Sequence, residues 1–427
     1  MKNLVFIEDY SSKYHLPEGD IVALNVRSHY ELFKRGIDHY TISDLVDFES
    51  YLTHSEAYNE HQKKFFMYCD NFYSNNTINN EVTFAPYRII GLEIKKVFDS
   101  LFSQTLIIYE IIKKIKPQKV YLLSSYVKHT GKQVNYFVSS KGNYYDFLFS
   151  EILEYLFTFI NYDYEIITIP KSISYTINTL KDGLKDRIRN TKYFNVYRQL
   201  PLTKNISSFD VNSFETIVNS KNLFMNQGWG LNKLINYSLI SNPETIVLRN
   251  NYFFIYKGSR ISKCYPVKID DVIQPVISSS KIEKHVTYFD NFVKGAMGIS
   301  LHTLIHKRIT FLNENIFPTL FYGCKTIDKL LNKLKVEKVI GNMKSSIRKN
   351  FSTNVLLHIL PYLATYDSNY DCLYFTHGYD PYVEERTFLE LPCNYYFTHN
   401  EEYKNYFSNS FRNQSVYGMP KVEIIKL

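Results

Sequence analysis

Short runs of apolar residues alternate with longer segments of helical periodicity along the first 170 residues of the chain. The runs predict buried strands, and the segments between them predict helices. The predicted strands are residues 3–7, 20–24, 39–42, 119–123, 134–139 and 164–169. The predicted helices are residues 26–35, 43–73, 87–115 and 144–159, and Gly36 is the stop of the first. Because strands and helices alternate, we predict a parallel sheet in an α/β domain of Rossmann-like type over residues 1–170.

A basic segment follows at residues 171–204, where the apolar periodicity weakens. We interpret this segment as a basic linker that is partly helical. Its charges fit either a solvated interdomain helix or a surface that meets phosphate or lipid head groups. The charged residues that define it are Lys181, Lys185, Arg187, Arg189, Lys192 and Arg198, against Asp182 and Asp186.

Alternating strands and helices return in residues 205–427. Two apolar runs at residues 245–249 and 252–256, separated by the turn-prone pair Asn250 and Asn251, predict a hairpin. The other predicted strands are residues 213–224, 338–341, 371–376, 395–398 and 415–417. The other predicted helices are residues 231–240, 281–296, 300–312, 326–334, 345–366 and 400–407. The predicted fold class is therefore α/β, with two Rossmann-like domains, 1–170 and 205–427, joined by the basic linker.

The composition of the chain is that of a globular protein. A hydrophobic share of 45% and a charged share of 22% allow a real core and exclude an intrinsically disordered chain. The net charge of +8 favours phosphorylated or anionic partners, but no nucleic-acid-binding module is recognisable, so nucleic acid is not expected as a partner. The 38 Tyr and 31 Phe residues fit either a compositional bias of the source genome or an aromatic binding surface.

The sequence also predicts where the protein acts. The apolar run at the N-terminus is too short for a signal peptide, and no stretch approaches the roughly 18 apolar residues of a membrane span. We expect a cytoplasmic protein, and peripheral contact with the inner face of the membrane is an open alternative. The oligomeric state is not predictable from these patterns.

Neither a metal nor a cofactor is predicted. The five cysteines lie far apart and form no pair with metal-ligand spacing, so we expect reduced structural thiols. His302 and His306 would place two imidazoles on one face of a helix, but no third ligand is evident. The basic pair Lys307 and Arg308 makes a phosphate-binding patch the favoured interpretation of this segment. Lys344 and Arg348 are further candidates for binding phosphate.

The strand predicted at residues 371–376 leads directly into His377 and Gly378. Ligands bind at the carboxyl ends of strands in open α/β sheets. A histidine suits general-base chemistry because its ordinary pKa lies near neutrality, and a glycine lets the backbone approach a ligand closely. Glu384 and Glu385 follow in the same loop and can orient the imidazole or bind a sugar hydroxyl. A turn histidine capped by a glycine is the structural alternative.

Two further segments have the pattern of anion sites. The segment NQGWGL, with Gly228 and Gly230, lies between a predicted strand and helix and can place a phosphate at the helix N-terminus. Trp229 would crowd a pyrophosphate, so a structural tight turn is the alternative. Arg27 and His29 follow the second predicted strand and can also bind an anion, although a partly exposed amphipathic helix explains them equally well.

Three segments near the C-terminus, THGYDPYVEE, LPCNYYFTHNEEYKNYF and VYGMPK, resemble surface-carbohydrate biosynthesis proteins of the GT-B type. They are more distantly similar to CDP-glycerol glycerophosphotransferases. The segment GDIVALNVRSHYELFKRGI near the N-terminus is also similar to the corresponding region of the surface-carbohydrate proteins. The resemblance implies a GT-B-like protein that transfers a sugar or a polyol phosphate from a nucleotide-activated donor to a glycan acceptor.

The same resemblance implies roles for individual residues. His377 would be the base that activates an acceptor hydroxyl, Glu384 would assist it, and Gly378 would shape the loop. The loop with Gly228 and Gly230 would line the acceptor site. The other positions that would bind substrate are Glu385, Thr398, Asn400 and Glu401.

One departure from the pattern of these proteins keeps a second interpretation open. In the resembling proteins a nucleotide-binding domain follows the V-x-G-x-P segment, whereas KVEIIKL follows Pro420 here. The alternative is therefore a non-catalytic or truncated relative that binds a glycan or works with a separate donor domain.

Overall fold

A computed structural model describes a large part of the chain. The described residues are 2–10, 14–76, 84–124, 148–160, 162–169, 184, 221–225, 235, 238–239, 244–249, 252–257, 260–266, 279–342, 359–360, 362–363, 370–375, 395–398 and 413–416. They form a mixed α/β structure whose sheets are rich in parallel strands, as predicted. The predicted linker, residues 171–204, lies outside the described residues except for Leu184.

The chain forms two compact units, each made of separate stretches of sequence. Unit 1 comprises Met1–Phe65, Ile94–Asp182 and Ser279–Phe311. Unit 2 comprises Phe66–Glu93, Gly183–Ser278 and Leu312–Leu427.

Unit 1 contains a sheet of five parallel strands in the order β3-β2-β1-β4-β5. The central strand β1 is buried along its whole length, and its Val5 and Ile7 pack with Ala23, Leu123 and Ile169. Such continuous burial is expected for a strand with neighbours on both sides in a parallel sheet. The strands are β1 (Leu4–Ile7), β2 (Asp20–Ala23), β3 (Tyr40–Thr41), β4 (Lys119–Ser124) and β5 (Asp163–Thr168).

The first helix, α1 (Val26–Lys34), has clear start and stop signals in the sequence. Asn25 caps its N-terminus by accepting a hydrogen bond from Ser28 N at 2.9 Å, and Ser28 Oγ accepts one from Asn25 N at 3.2 Å. Gly36 follows the helix with φ of +65°, a conformation that glycine adopts without steric cost. The predicted stop at Gly36 is thus confirmed.

Long helices supply most of the remaining core of unit 1. Two of them, α3 and α4, are divided between the units, and an aromatic cluster in unit 1 includes Tyr58 stacked on Phe102 at 4.0 Å between ring centroids. Phe65 and Phe289 pack at 4.6 Å in the same unit. Many of the aromatic residues of the described chain therefore build its core. The helices are α2 (Ile42–Leu45), α3 (Phe48–Asn76), α4 (Pro86–Ile115), α5 (Leu148–Ile160), α6 (Ser279–Met297) and α7 (His302–Phe311).

Unit 2 contains an eight-stranded sheet in the order β13-β12-β11-β10-β6-β7-β8-β9. The strands from β13 to β7 are parallel, and β7, β8 and β9 are antiparallel. The predicted hairpin is confirmed as β7 and β8. The strands are β6 (Asn222–Phe224), β7 (Thr245–Arg249), β8 (Tyr252–Lys257), β9 (Arg260–Pro266), β10 (Lys338–Asn342), β11 (Asp371–Phe375), β12 (Tyr395–Thr398) and β13 (Asn413–Val416).

A buried polar group lies among the helical residues of unit 2. A π-helical turn, Leu312–Ile316, precedes α8 (Phe317–Leu334), and Tyr73 packs on Phe317 at 5.1 Å. Beside them Asp70 accepts a hydrogen bond from Tyr87 N at 2.8 Å, at the start of α4. Burial raises the pKa of Asp70 to about 7, although this hydrogen bond and the charge of Arg88 oppose the shift.

The described cysteines agree with the expectation of structural thiols. Cys69, Cys324 and Cys372 are buried and Cys264 is partly buried, and none of these four described cysteines forms a disulfide. Burial raises the pKa of the Cys69 thiol well above its ordinary value, so it is held as the unreactive thiol. No helix in the described residues is both long enough and apolar enough to cross a membrane.

Candidate functional site

The strand order of unit 1 places a switch point at β1. The chain connects β1 to β2 and β3 on one side of the sheet, while β4 and β5 lie on the other side. In open parallel sheets, ligands bind outside the carboxyl ends of the strands at such a point. The residues that follow β1, β2 and β4 therefore define the place to search for a site.

Hydrogen bonds fix the chain where β1 ends. The amides of Glu8 and Asp9 donate to Leu123 O at 2.9 and 3.2 Å, and Asn25 Nδ2 donates to Glu8 O at 2.8 Å. Ser124 Oγ donates to the carboxylate of Glu8. The first residues after β1 are thus held by β4 on one side and by the start of α1 on the other.

A polar cleft of about 240 Å³ opens beside these residues. One wall is the segment that follows β1, and the other is a face of α1 on which Arg27, Glu31 and Arg35 recur at intervals of four residues. The cleft is smaller than the roughly 300–1,000 Å³ pockets that enclose drug-sized ligands. Its size suits a small polar ligand better than a whole nucleotide. Its lining residues are Glu8, Asp9, Tyr10, Arg27, Ser28, Glu31 and Arg35.

The charges on the helical wall of the cleft are not paired with each other. Within the described part of the chain, Arg27, Glu31 and Arg35 form no ion pair within 4 Å, and the guanidinium of Arg35 lies 5.3 Å from the centre of the Tyr10 ring. A guanidinium binds carboxylates and phosphates through two parallel hydrogen bonds, and a carboxylate accepts hydrogen bonds from hydroxyl groups. The cleft therefore offers the groups that bind an anionic, hydroxyl-rich ligand.

Most residues that the sequence predicts as a site lie outside the described residues. The strands that lead to them are confirmed, since β11 ends at Phe375 and pairs in parallel with β12, which ends at Thr398. The carboxyl ends of both strands meet at one edge of the sheet, and the roles of the residues there stay predictions. The residues outside the described part are His377, Gly378, Glu384, Glu385, Asn400, Glu401, Gly228, Gly230, Lys344 and Arg348.

The structure describes the predicted phosphate-binding pair in unit 1. Arg308 is 3% exposed and donates to Glu151 Oε2 at 2.7 Å and to Leu304 O at 2.9 Å. Lys307 Nζ lies 3.8 Å from Glu151 Oε1 and is half-exposed. An anion at this position would have to compete with the Glu151 carboxylate for both cations.

His302 and His306, both on α7, lie close to the carboxylate of Glu283. His302 Nε2 lies 2.7 Å from Glu283 Oε1, and His306 Nε2 lies 3.7 Å from Glu283 Oε2. Among the described residues, no group of three His, Cys, Asp or Glu side chains is placed to hold a metal ion. Glu283 thus lies within 4 Å of both imidazoles.

Sequence reasoning singled out only Arg27 among the residues of the cleft. Glu8, Asp9, Glu31 and Arg35 were not recognised, although two signals pointed to them. Acidic residues follow the first strand directly, and charged residues recur every four positions along the first helix. The second signal is also typical of a solvated helix face, so only the fold separates the two interpretations.

Comparison of the chain with protein-family models, with curated proteins and with solved structures found no match. Two features of the described structure bear on function, namely the polar cleft and the strand edge at β11 and β12. The cleft is lined by side chains whose positions the structure describes. The strand edge is the place where the predicted His377 loop begins.

Proposed function

We propose that the protein is a glycosyltransferase-like enzyme of surface polysaccharide biosynthesis that transfers a sugar or a polyol phosphate from a nucleotide donor to a glycan acceptor. Three features support this proposal. The C-terminal segments resemble such proteins, each unit contains a sheet rich in parallel strands, and the sheet of unit 1 has the order of the first five strands of a Rossmann fold. Two Rossmann-like domains would make the protein GT-B-like.

The observation that carries the proposal is the polar cleft at the switch point of unit 1. In the proposed reaction, Glu8, Asp9 and Glu31 accept hydrogen bonds from hydroxyl groups of the acceptor. Arg27 and Arg35 bind an acidic group on the same acceptor, such as a phosphate or a carboxylate. An acceptor unit of this kind matches the volume of the cleft.

His377 is the proposed base for the transfer. It takes the proton from the acceptor hydroxyl as the oxygen forms its bond to the donor carbon or phosphorus, while the nucleotide leaves with the electrons of the broken bond. Glu384 orients the imidazole in this proposal. Positive groups stabilise the departing phosphate, and Lys344 and Arg348 are candidates for this role.

Calorimetry with CDP-, UDP-, GDP- and CMP-linked sugars and with CDP-glycerol tests whether the protein binds a nucleotide donor. We expect one class to bind, and binding of none would overturn the proposed transferase. The His377→Ala variant should keep donor binding and lose transfer by about 10²- to 10⁴-fold. The exposed His15, changed to Ala, is a matched control that should keep full activity.

Glycan binding without transfer is the second candidate function, and the cleft itself favours it. The groups that line the cleft can bind an acceptor with no help from a donor site. Under this proposal the protein would bind phosphorylated or acidic glycans and none of the nucleotide donors. The same calorimetric panel, extended to glycans, separates the two functions.

A further inference from the structure

Helix α1 has an apolar strip on its solvent side. Val26 is 84% exposed, Phe33 is 71% exposed and Tyr30 is 58% exposed, and the three lie at positions i, i+4 and i+7 of one helix. This spacing places them on one face. The side of the helix that faces the core carries Ser28 and Leu32, which are buried. Single exposed apolar residues are normal, but a continuous strip on one helix marks an interaction surface.

Basic side chains stand beside the strip. At about 100° per residue, Arg27 and Lys34 lie on the flank that follows Val26 and Phe33 around the helix. On the other flank, the His29 ring is 6.2 Å from the Phe33 ring, and His29 Nδ1 is hydrogen-bonded to His39 Nε2 at 2.8 Å. One flank of the strip therefore carries two basic side chains, and the other carries a pair of hydrogen-bonded imidazoles.

Three carboxylates lie in or near α1, and one of them, Asp44, interacts electrostatically with His29 and His39. Glu31, the one acidic residue of α1, lines the polar cleft. The exposed Asp38 and Asp44 follow the end of the helix, and Asp44 is held by Thr41 through hydrogen bonds of 2.6 and 2.7 Å. The helix itself thus pairs an apolar face with a net positive charge.

The size of the strip decides between possible occupants. Two aromatic side chains bury roughly 150–250 Å² each when fully covered, so at these exposures Tyr30 and Phe33 offer roughly 190–320 Å², to which Val26 adds. A specific protein interface needs about 800 Å² from each partner. Binding at a lipid interface needs a short apolar face with basic residues beside it, which α1 has.

We propose that α1 docks the protein on an anionic lipid bilayer, with Val26, Tyr30 and Phe33 inserted among the lipids and Lys34 at the head groups. The polar cleft lines the neighbouring face of the same helix. Docking would therefore hold the cleft next to the membrane surface, where a lipid-linked glycan acceptor would be presented. The proposed docking rests only on the residues of α1. Its role in bringing the cleft to a lipid-linked acceptor rests on the proposed function.

Sedimentation of the full chain with lipid vesicles tests the docking. We expect binding to vesicles of phosphatidylcholine with phosphatidylglycerol, and at least about tenfold weaker binding to phosphatidylcholine alone. The Val26→Ser, Tyr30→Ser, Phe33→Ser triple variant should lose binding to the anionic vesicles at least tenfold. Lys34→Gln should weaken it about three- to fivefold, since one basic residue near the surface contributes about that factor.

Tyr288 supplies the matched control. It is 45% exposed on α6, and Tyr288→Ser should bind vesicles like the unchanged protein. Absence of vesicle binding by the unchanged protein would overturn the proposal, as would equal binding by the triple variant. A dimer that the triple variant dissociates, without vesicle binding, would also overturn it and assign the strip to a second copy of the chain.

A fluorescence measurement covers the case in which the triple variant does not fold. The chain has one Trp, so Phe33→Trp in a Trp229→Phe background reports on the strip alone. Its emission should shift to shorter wavelength with anionic vesicles, and an unchanged spectrum would contradict insertion. Donor calorimetry needs no lipid, so failure of docking and failure of the proposed function are distinguishable.

Discussion

Unit 1 contains two sets of charged side chains that differ in their burial and in their ion-pair partners. Arg308 is buried, and its guanidinium is committed to Glu151 and to the carbonyl of Leu304. Arg27 and Arg35 line an open cleft, and neither pairs with a carboxylate among the described residues within 4 Å. A buried and paired cation serves the fold, whereas an accessible and unpaired one is available to a ligand. The charge of a side chain does not distinguish these two roles, whereas its burial and its ion-pair partners do.

The largest expected effect on stability comes from Asp70, an acid buried in unit 2. Its folded pKa of about 7 lies above the value of 3.8 expected in the unfolded chain, so the folded state binds the extra proton. The free energy of unfolding should therefore fall as pH rises from about 4 to about 7, by roughly 4 kcal/mol at most.

Asp70→Asn tests this pH dependence. Asn stays neutral and still accepts the hydrogen bond from Tyr87 N, so the fall in stability between pH 4 and 7 should largely disappear. Urea unfolding across this range measures it, and the exposed Asp38→Asn is the control that should keep the slope. A variant with the slope of the unchanged protein would show that Asp70 ionises normally in the fold.

The next largest loss of stability is expected when the carboxylate partner of Arg308 is removed. Glu151→Ala leaves a buried guanidinium without its carboxylate and should lower the free energy of unfolding by about 3 kcal/mol. The exposed Glu60→Ala should change it by less than about 0.5 kcal/mol. Chemical denaturation of both variants gives the comparison, and equal stabilities would mean that the buried pair is not needed by the fold.

A smaller loss of stability is expected when Asn25 is changed, because its side chain is hydrogen-bonded both to α1 and to the segment that follows β1. Asn25→Ala removes the cap of α1 and the hydrogen bond to Glu8 O, which should cost about 1 kcal/mol. Asn25→Ser keeps a capping oxygen and should cost less. Thermal unfolding of the two variants ranks them, and the reverse order would show that the cap does not hold α1.

The smallest effect on stability is expected at the cleft itself. Arg27→Gln and Arg35→Gln should each change the free energy of unfolding by less than about 0.5 kcal/mol, because neither guanidinium is buried in an ion pair. Denaturation curves measured beside those of Glu151→Ala would display the contrast directly. A loss of 2 kcal/mol or more at either arginine would place it among the charges that the fold requires.

The sequence predicted the elements of the fold well where the pattern was local. The apolar runs at β1, β2 and β4 and the stop at Gly36 depend on neighbouring residues, and the structure confirms them. The edge strand β9 was not predicted, because its residues Arg260, Lys263 and Pro266 interrupt the apolar pattern.

Contacts between residues that are far apart in the chain could not be predicted from the sequence. Arg308 and Glu151 are 157 positions apart, so their ion pair depends on the packing of two helices that no local pattern reveals. The cleft was missed for the same reason, since its two walls meet only when β1 and α1 are in place. The strands β11 and β12 were predicted, and the role of the His377 loop that follows β11 remains a prediction.

Calorimetry of the cleft tests the central claim most directly. The ligands are glucose 1-phosphate and glucuronate, with glucose as the neutral comparison, and the proteins are the unchanged chain and the Arg27→Gln, Arg35→Gln double variant. We predict that the unchanged protein binds at least one of the anionic sugars more tightly than glucose, and that the double variant loses this preference by at least about tenfold. Equal binding of the anionic sugars to both proteins, or no binding of either, would contradict the assignment of the cleft as the ligand site.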